Sequence, residues 1–258
     1  GNPVQTTPTP TVIENTNKLK RAAEFTPSSF AYVLQAENLG STPTVVADKI
    51  SQANRDWVVL DPHFNEDVVW QGADLERIRA GNPKRKIIAY ISIGEAENYR
   101  DYWKSTWLKD NKLTPASPVW SLKENPEWKG NYVVKYWNPD WQKIILESVK
   151  QAMAMGFDGV YLDIVDGFET FEEGTDYVEN RINPESKQSY RRDMVDWVKR
   201  IAAQARQTKP DALVIPQNGS ALLSFDDFQK TINGIGIEDL FTDGDKKQPH
   251  KASGEVLD

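Results

Sequence analysis

The sequence predicts an α/β fold in which parallel strands alternate with helices, arranged as a β/α barrel or as an open doubly wound sheet. Three observations predict it. Short apolar runs of strand length alternate with stretches of helical period. Those runs end in acidic or polar residues, the pattern of strand tips that face a ligand. A chain of 258 residues with 39% hydrophobic content can bury one sizeable core, and α/β barrels commonly reach this length as a single domain.

Gly1 to about Pro10 is Thr/Pro-rich and aperiodic, which suits an extended tether. It reads equally as the leader left after removal of a secretion or lipoprotein signal and as residues foreign to the natural chain; no signal peptide is recognised. The domain division is a lead-in over 1–27 and one domain over 28–258. The first strand is expected from Phe30 to Leu34. Thr42-Pro43 then supplies an N-cap and first helical position for a helix through Ala53. Trp57 to Leu60 is the second strand and ends at Asp61. Ala73 to Ala80 is a short helix stopped by Gly81, and Lys86 to Ile93 is the third strand, running into Gly94-Glu95-Ala96-Glu97.

Asn138-Pro139 opens the next helix, whose apolar stripe is Trp141, Ile144, Ile145, Val149, Ala152 and Met153 and whose end is Gly156. The loop before it, Gly94 to Trp137, is far longer than an ordinary βα loop, and loops of that length are usually functional. The fourth strand lies in Gly156 to Asp166, with Asp163 and Asp166 where it runs out. After an acidic excursion over Gly167 to Gln188, Tyr190 to Ala205 is an amphipathic helix. Leu213 to Pro216 is the fifth strand, leading to Gln217-Asn218, and Asn233 to Ile237 is the sixth, leading to Glu238. A closed barrel of eight units would take roughly 60 further residues.

The formal charge of -7 offers no footprint for phosphate backbones or anionic lipid, so neither nucleic acid nor a membrane surface is an expected partner. No apolar run is long enough to span a bilayer. The absence of cysteine removes thiolate chemistry and disulfides, and two histidines, His63 and His250, cannot build a multi-histidine metal centre.

The strand tips collect Asp61, Glu95, Glu97, Asp163, Asp166, Gln217, Asn218 and Glu238, a rim rich in acids and without Lys or Arg. Such a rim suits carboxylate chemistry, a bound cation or a positively charged substrate. Glycosidic cleavage needs little beyond two carboxyl groups, and Asp163 and Glu238 on different strands satisfy that need. Taken singly, each acid could instead cap a helix or pair with an arginine. A Ca²⁺ or Mg²⁺ site at Asp163 and Asp166 and a non-catalytic carbohydrate-binding cleft are the rival readings. Trp103, Trp107, Trp120, Trp128, Trp137 and Trp141 gather around the long loop, as platforms for sugar rings or as a small core of the loop itself. Tyr99 and Tyr102 are expected to touch substrate, and Arg100 beside them either joins them or neutralises Glu97. Gly234-Ile235-Gly236 opens no glycine-rich turn into a helix and is not a dinucleotide fingerprint.

The runs IAYISIGEAENYRDYW (88–103), ENPEWKGNYVVKYWNPDW (124–141), GFDGVYLDIVD (156–166), PQNG (216–219) and GIGIEDLF (234–241) together resemble glycoside hydrolase family 114. The resemblance implies a (β/α)8 TIM-barrel fold that hydrolyses α-1,4-linked galactosamine-containing polysaccharide internally, as an endo-α-1,4-polygalactosaminidase does, with no metal or organic cofactor. It also implies Asp163 as nucleophile and Glu238 as acid/base; with Asp163 partnered in this way, Asp166 is read as a rim or amine contact. A secreted or cell-surface monomer acting on a cationic amino-sugar polymer is the resulting expectation, and the acidic rim agrees with it.

Overall fold

The computed structural model describes residues 27–238, with 242–243 and 246–249. The Thr/Pro tether and the end of the chain lie outside the described residues.

The central layer is a five-stranded parallel sheet of β1 (Phe30–Val33), β2 (Trp57–Leu60), β3 (Lys86–Ser92), β9 (Gly159–Asp163) and β10 (Leu213–Pro216), in the spatial order β1-β2-β3-β9-β10. Four helices connect or flank them: α1 (Pro43–Gln52), α2 (Gly72–Ala80), α3 (Pro139–Met155) and α5 (Tyr190–Thr208). Their ends obey local chemistry. The Thr42 side chain accepts from Val45 N, Asn138 from Asp140 N and Ser189 from Arg192 N, each satisfying a donor that the first helical turn leaves unpaired. Gly156 closes α3 at φ 111°, in the left-handed region that glycine enters without a Cβ penalty.

Strand periodicity divides the core. Val58, Leu60, Ile87, Ala89, Val160, Leu162 and Val214 pack outward against the helices. Val59, Ile88, Tyr161, Leu213 and Ile215 point to the opposite face, with Trp57 and Tyr90 against them. That face is concave. Tyr32 on β1 meets the Tyr161 ring on β9 edge-to-face at 5.2 Å, and its hydroxyl donates to Gln217 Oε1 at 3.0 Å. In a flat sheet β1 and β9 would stand about 14 Å apart. The sheet is therefore rolled as a β/α barrel is, and among the described residues it does not close.

The expected sixth strand is reduced to a single parallel bridge, Gln217↔Gly236. Gly236 N donates to Pro216 O at 2.9 Å and Asn218 N donates to Gly236 O at 2.7 Å, so the segment runs beside β10 without becoming a regular strand. Beyond it, Thr242–Asp243 (β11) pairs antiparallel with Lys246–Pro249 (β12).

The long loop after β3 contains structure that its sequence does not announce. β4 (Glu95–Glu97), β7 (Ser121–Glu124) and β8 (Asn131–Val134) form an antiparallel sheet in the order β4-β8-β7, and β5 (Leu108–Lys109) pairs with β6 (Lys112–Leu113). The loop's tryptophans mostly make a small core. Trp103–Trp107, Trp107–Trp120 and Trp120–Trp141 ring centroids are 5.2, 5.6 and 5.0 Å apart. The Trp141 and Trp197 indoles both donate to Ile93 O, at 3.0 and 3.3 Å, which pins the end of β3 to two helices.

The acidic excursion holds α4 (Glu169–Glu173), and a second short helix, α6 (Asp226–Thr231), comes after β10. The fully buried Glu172 anchors α4 by accepting from Arg191 on α5, with Nη2 to Oε2 at 2.9 Å.

Candidate active site

Asp163 is the last residue of β9 and pairs in register with Ser92 at the end of β3. Its Oδ1 accepts from its neighbour's backbone, Ile164 N, at 2.8 Å, and its Oδ2 accepts from the Tyr90 hydroxyl. The chain turns sharply here: Ile164 holds φ 58°, ψ 38°, a costly conformation for a β-branched residue and the kind of strain that functional sites retain. Gly94 makes the turn possible. A Cβ on Gly94 would stand 2.4 Å from Ile164 O, so no larger residue fits between the two strand ends.

Burial pushes the Asp163 carboxyl above its ordinary range; the hydrogen bonds from Tyr90 and Ile164 N pull it back, while the charges of Glu238 and Glu97 add to the rise. Asp166 is pushed up to about 6, first by burial and then by the charge on Asp163. Asn218 ties this group together. Its Nδ2 donates to Glu238 Oε2 at 3.2 Å and its Oδ1 accepts from Glu238 N at 3.0 Å, and its amide opposes the rise at Asp166. Asn218 does this at φ 59°, which asparagine tolerates better than most residues.

Three tyrosines line the concave floor. Burial raises Tyr32, Tyr90 and Tyr161, the last to about 12, so each hydroxyl keeps its proton. Tyr32 and Tyr161 both lie within reach of the charges on Asp163 and Glu238. A Cβ on Gly236 would stand 2.0 Å from Tyr161 Oη, so this glycine, two residues before Glu238, makes room for that hydroxyl.

A second group forms around Arg100. Its Nη1 and Nη2 donate to the two Asp61 oxygens at 2.9 and 2.8 Å, and its Nε donates to Glu97 Oε2 at 2.7 Å. Although burial opposes it, hydrogen bonds from His63 and Arg100 hold Asp61 below its ordinary range. Arg100 thus neutralises Glu97, one of the two roles its sequence position offers, and pairs Asp61 as well. Tyr99 donates to Glu97 Oε1 at 2.5 Å and keeps an exposed ring. A cavity of about 260 Å³ lies here, lined by Gln35, Glu37, Asp61, His63, Tyr99 and Arg100. A larger one of about 670 Å³, between α3 and the residues after β2, includes neither Asp163, Asp166 nor Glu238.

The remaining candidates sit in the scaffold. Glu95 is buried and accepts from Asn125 Nδ2 at 2.8 Å and Asn131 Nδ2 at 3.4 Å. The Tyr102 hydroxyl accepts from Glu97 N at 2.9 Å while its ring packs edge-to-face on Trp141. Gln217 is buried under Tyr32. Sequence reasoning does not single out Tyr32, Tyr90 or Tyr161. Period-two alternation is the signal that could have found two of them, since Tyr161 lies two residues before Asp163 and Tyr90 two before Ser92. Among the described residues no group of three or more His, Asp or Glu is placed to hold a metal ion, and no helix is long and apolar enough to cross a membrane.

The sequence profile of glycoside-hydrolase family GH114 matches residues 14–245. An uncharacterized protein of Methanocaldococcus jannaschii is 34% identical over 95% of this chain and 65% of its own length. One from Deinococcus radiodurans is 35% identical over 71% of this chain and 53% of its own, and one from Thermotoga maritima is 41% identical over 60% and 44%. The chain thus spans 44% to 65% of the length of these relatives. Among solved structures, the glycoside hydrolase domain of PelA from Pseudomonas aeruginosa superposes with a TM-score of 0.58 at 17% identity, over 90% of this chain and 76% of that one. Aspergillus fumigatus Ega3, solved in complex with galactosamine, gives 0.53 at 16% identity, over 81% and 65%. These likenesses concern the fold.

Proposed function

The chain belongs to glycoside-hydrolase family GH114, and from that premise we propose that it cleaves an α-1,4-linked galactosamine-containing polysaccharide internally, with Asp163 as nucleophile and Glu238 as acid/base. The observation that carries this reading is the approach of the two carboxylates from either side of β10: Asp163 ends β9, Glu238 follows the Gly236 bridge on the far edge of β10 and is held by Asn218, and the charge of Glu238 reaches Asp163.

In this reading Asp163 attacks the anomeric carbon as Glu238 delivers a proton to the departing glycosidic oxygen. Water, deprotonated by Glu238, then releases the sugar from Asp163. The two donors on Asp163 suit a nucleophile, because they favour its ionised form against burial and fix its direction. Asp166 is assigned to a substrate ammonium. The amino-sugar class is supported by the acidic surroundings of the site and by the galactosamine bound to Ega3. A polysaccharide does not diffuse across a membrane, so the enzyme is assigned to the secreted or cell-surface compartment.

Asp163→Asn should abolish cleavage of de-N-acetylated galactosaminogalactan, measured by reducing-end release, while the circular dichroism spectrum is unchanged. Undiminished turnover would remove Asp163 from the chemistry. Saturable binding without product from the unmodified chain would make the protein a carbohydrate binder on the same fold.

A further inference from the structure

We propose that Trp128 is a distal sugar-stacking subsite, a second contact for the amino-sugar chain away from Asp163 and Glu238. It rests on the galactosamine reading above. All nine tryptophans of the chain lie in the described residues. Eight are buried or half-buried, several of them ring against ring, whereas Trp128 is 67% exposed. A residue of that apolar area left in water at the tip of a turn costs hydration free energy that packing would recover, unless something covers it.

The turn that carries Trp128 is braced. Asn125 N donates to Asn131 O at 2.7 Å and Asn131 N donates to Trp128 O at 3.0 Å. Glu127 N donates to Asn125 Oδ1 at 3.0 Å, and Gly130 N donates to Glu124 Oε1 at 2.9 Å. Asn98 N, just past β4, donates to Gly130 O at 2.9 Å. Glu95 then gathers the side chains of Asn125 and Asn131, the two residues that bracket the turn. Ser92 Oγ donates to Glu95 O at 3.0 Å, and Ser92 pairs in register with Asp163, so the brace that holds the Trp128 turn is tied to the strand end that carries Asp163. A rigid, exposed aromatic face offers a pyranose ring an apolar bed and offers its ammonium a cation–π contact, at little cost in conformational entropy.

Such a subsite is reached by long chains and not by short ones. The experiment uses the Asp163→Asn chain, to prevent turnover, and titrates it calorimetrically with the disaccharide and with a long oligomer of α-1,4-linked galactosamine. Adding Trp128→Ala should weaken the long oligomer about 3- to 10-fold and leave the disaccharide unchanged, and Trp128→Phe should recover part of the loss. Equal affinity of parent and Trp128→Ala for the long oligomer would overturn the subsite, as would equal weakening of both probes. A parent chain that binds neither probe would overturn the galactosamine reading itself, and the subsite with it.

Discussion

The Tyr90 hydroxyl and Ile164 N hold Asp163 against the burial that favours its neutral form. Removing one of them has a signed consequence. In Tyr90→Phe the carboxyl loses a hydrogen bond that lowered its pKa, so the pKa rises further. A nucleophile must be ionised, and the acidic limb of the kcat/KM profile should move to higher pH. The plateau should fall by about 10- to 100-fold, the worth of a hydrogen bond to a charged group. An unmoved limb would detach Tyr90 from the ionisation of Asp163. At this scale the sequence shows Asp163 and Glu238 as acids at strand ends, because a polar residue that closes an apolar run is a local signal. It does not show that Arg100 pairs Asp61, since 39 residues separate them and only the fold brings them to 2.8 Å.

At the scale of elements, the ends of β3 and β9 touch through Gly94 and Ile164. Gly94→Ala forces a methyl group against a backbone oxygen, and neither strand end can retreat while Trp141 and Trp197 grip Ile93 O. The variant should lose about 1 to 3 kcal/mol in urea denaturation. Its activity should fall further than that, because Ile164 N also orients Asp163. The strands of the sheet and the long helices were legible to within a few residues, since apolar period and N-cap chemistry act within a single turn or pleat. The antiparallel strands of the long loop were not. At two to four residues each they are too short to display alternation, and their pairing joins Glu95 to Val133 across the loop.

For the whole molecule, the rolled sheet brings Asp163, Asp166 and Glu238 within reach of one another's charge on a chain with net charge -7. A polycationic substrate is drawn to such a group at long range. With chemistry unchanged, KM for de-N-acetylated polymer should rise as salt increases from about 0.05 to about 0.5 M, where the Debye length becomes short, while kcat holds. A salt-independent KM would argue against the cationic substrate. The sequence alone determined the alternation of strands and helices, the helix ends, the strand that carries Asp163 and the family resemblance, because periodicity, capping and motif are written in neighbouring residues. Tertiary structure decided which acids are neutralised, which tyrosines line the floor, that the sixth strand is only a bridge, and that Trp128 is the tryptophan left mostly exposed. Charge pairing and burial depend on groups that are distant along the chain and adjacent only after the sheet has rolled.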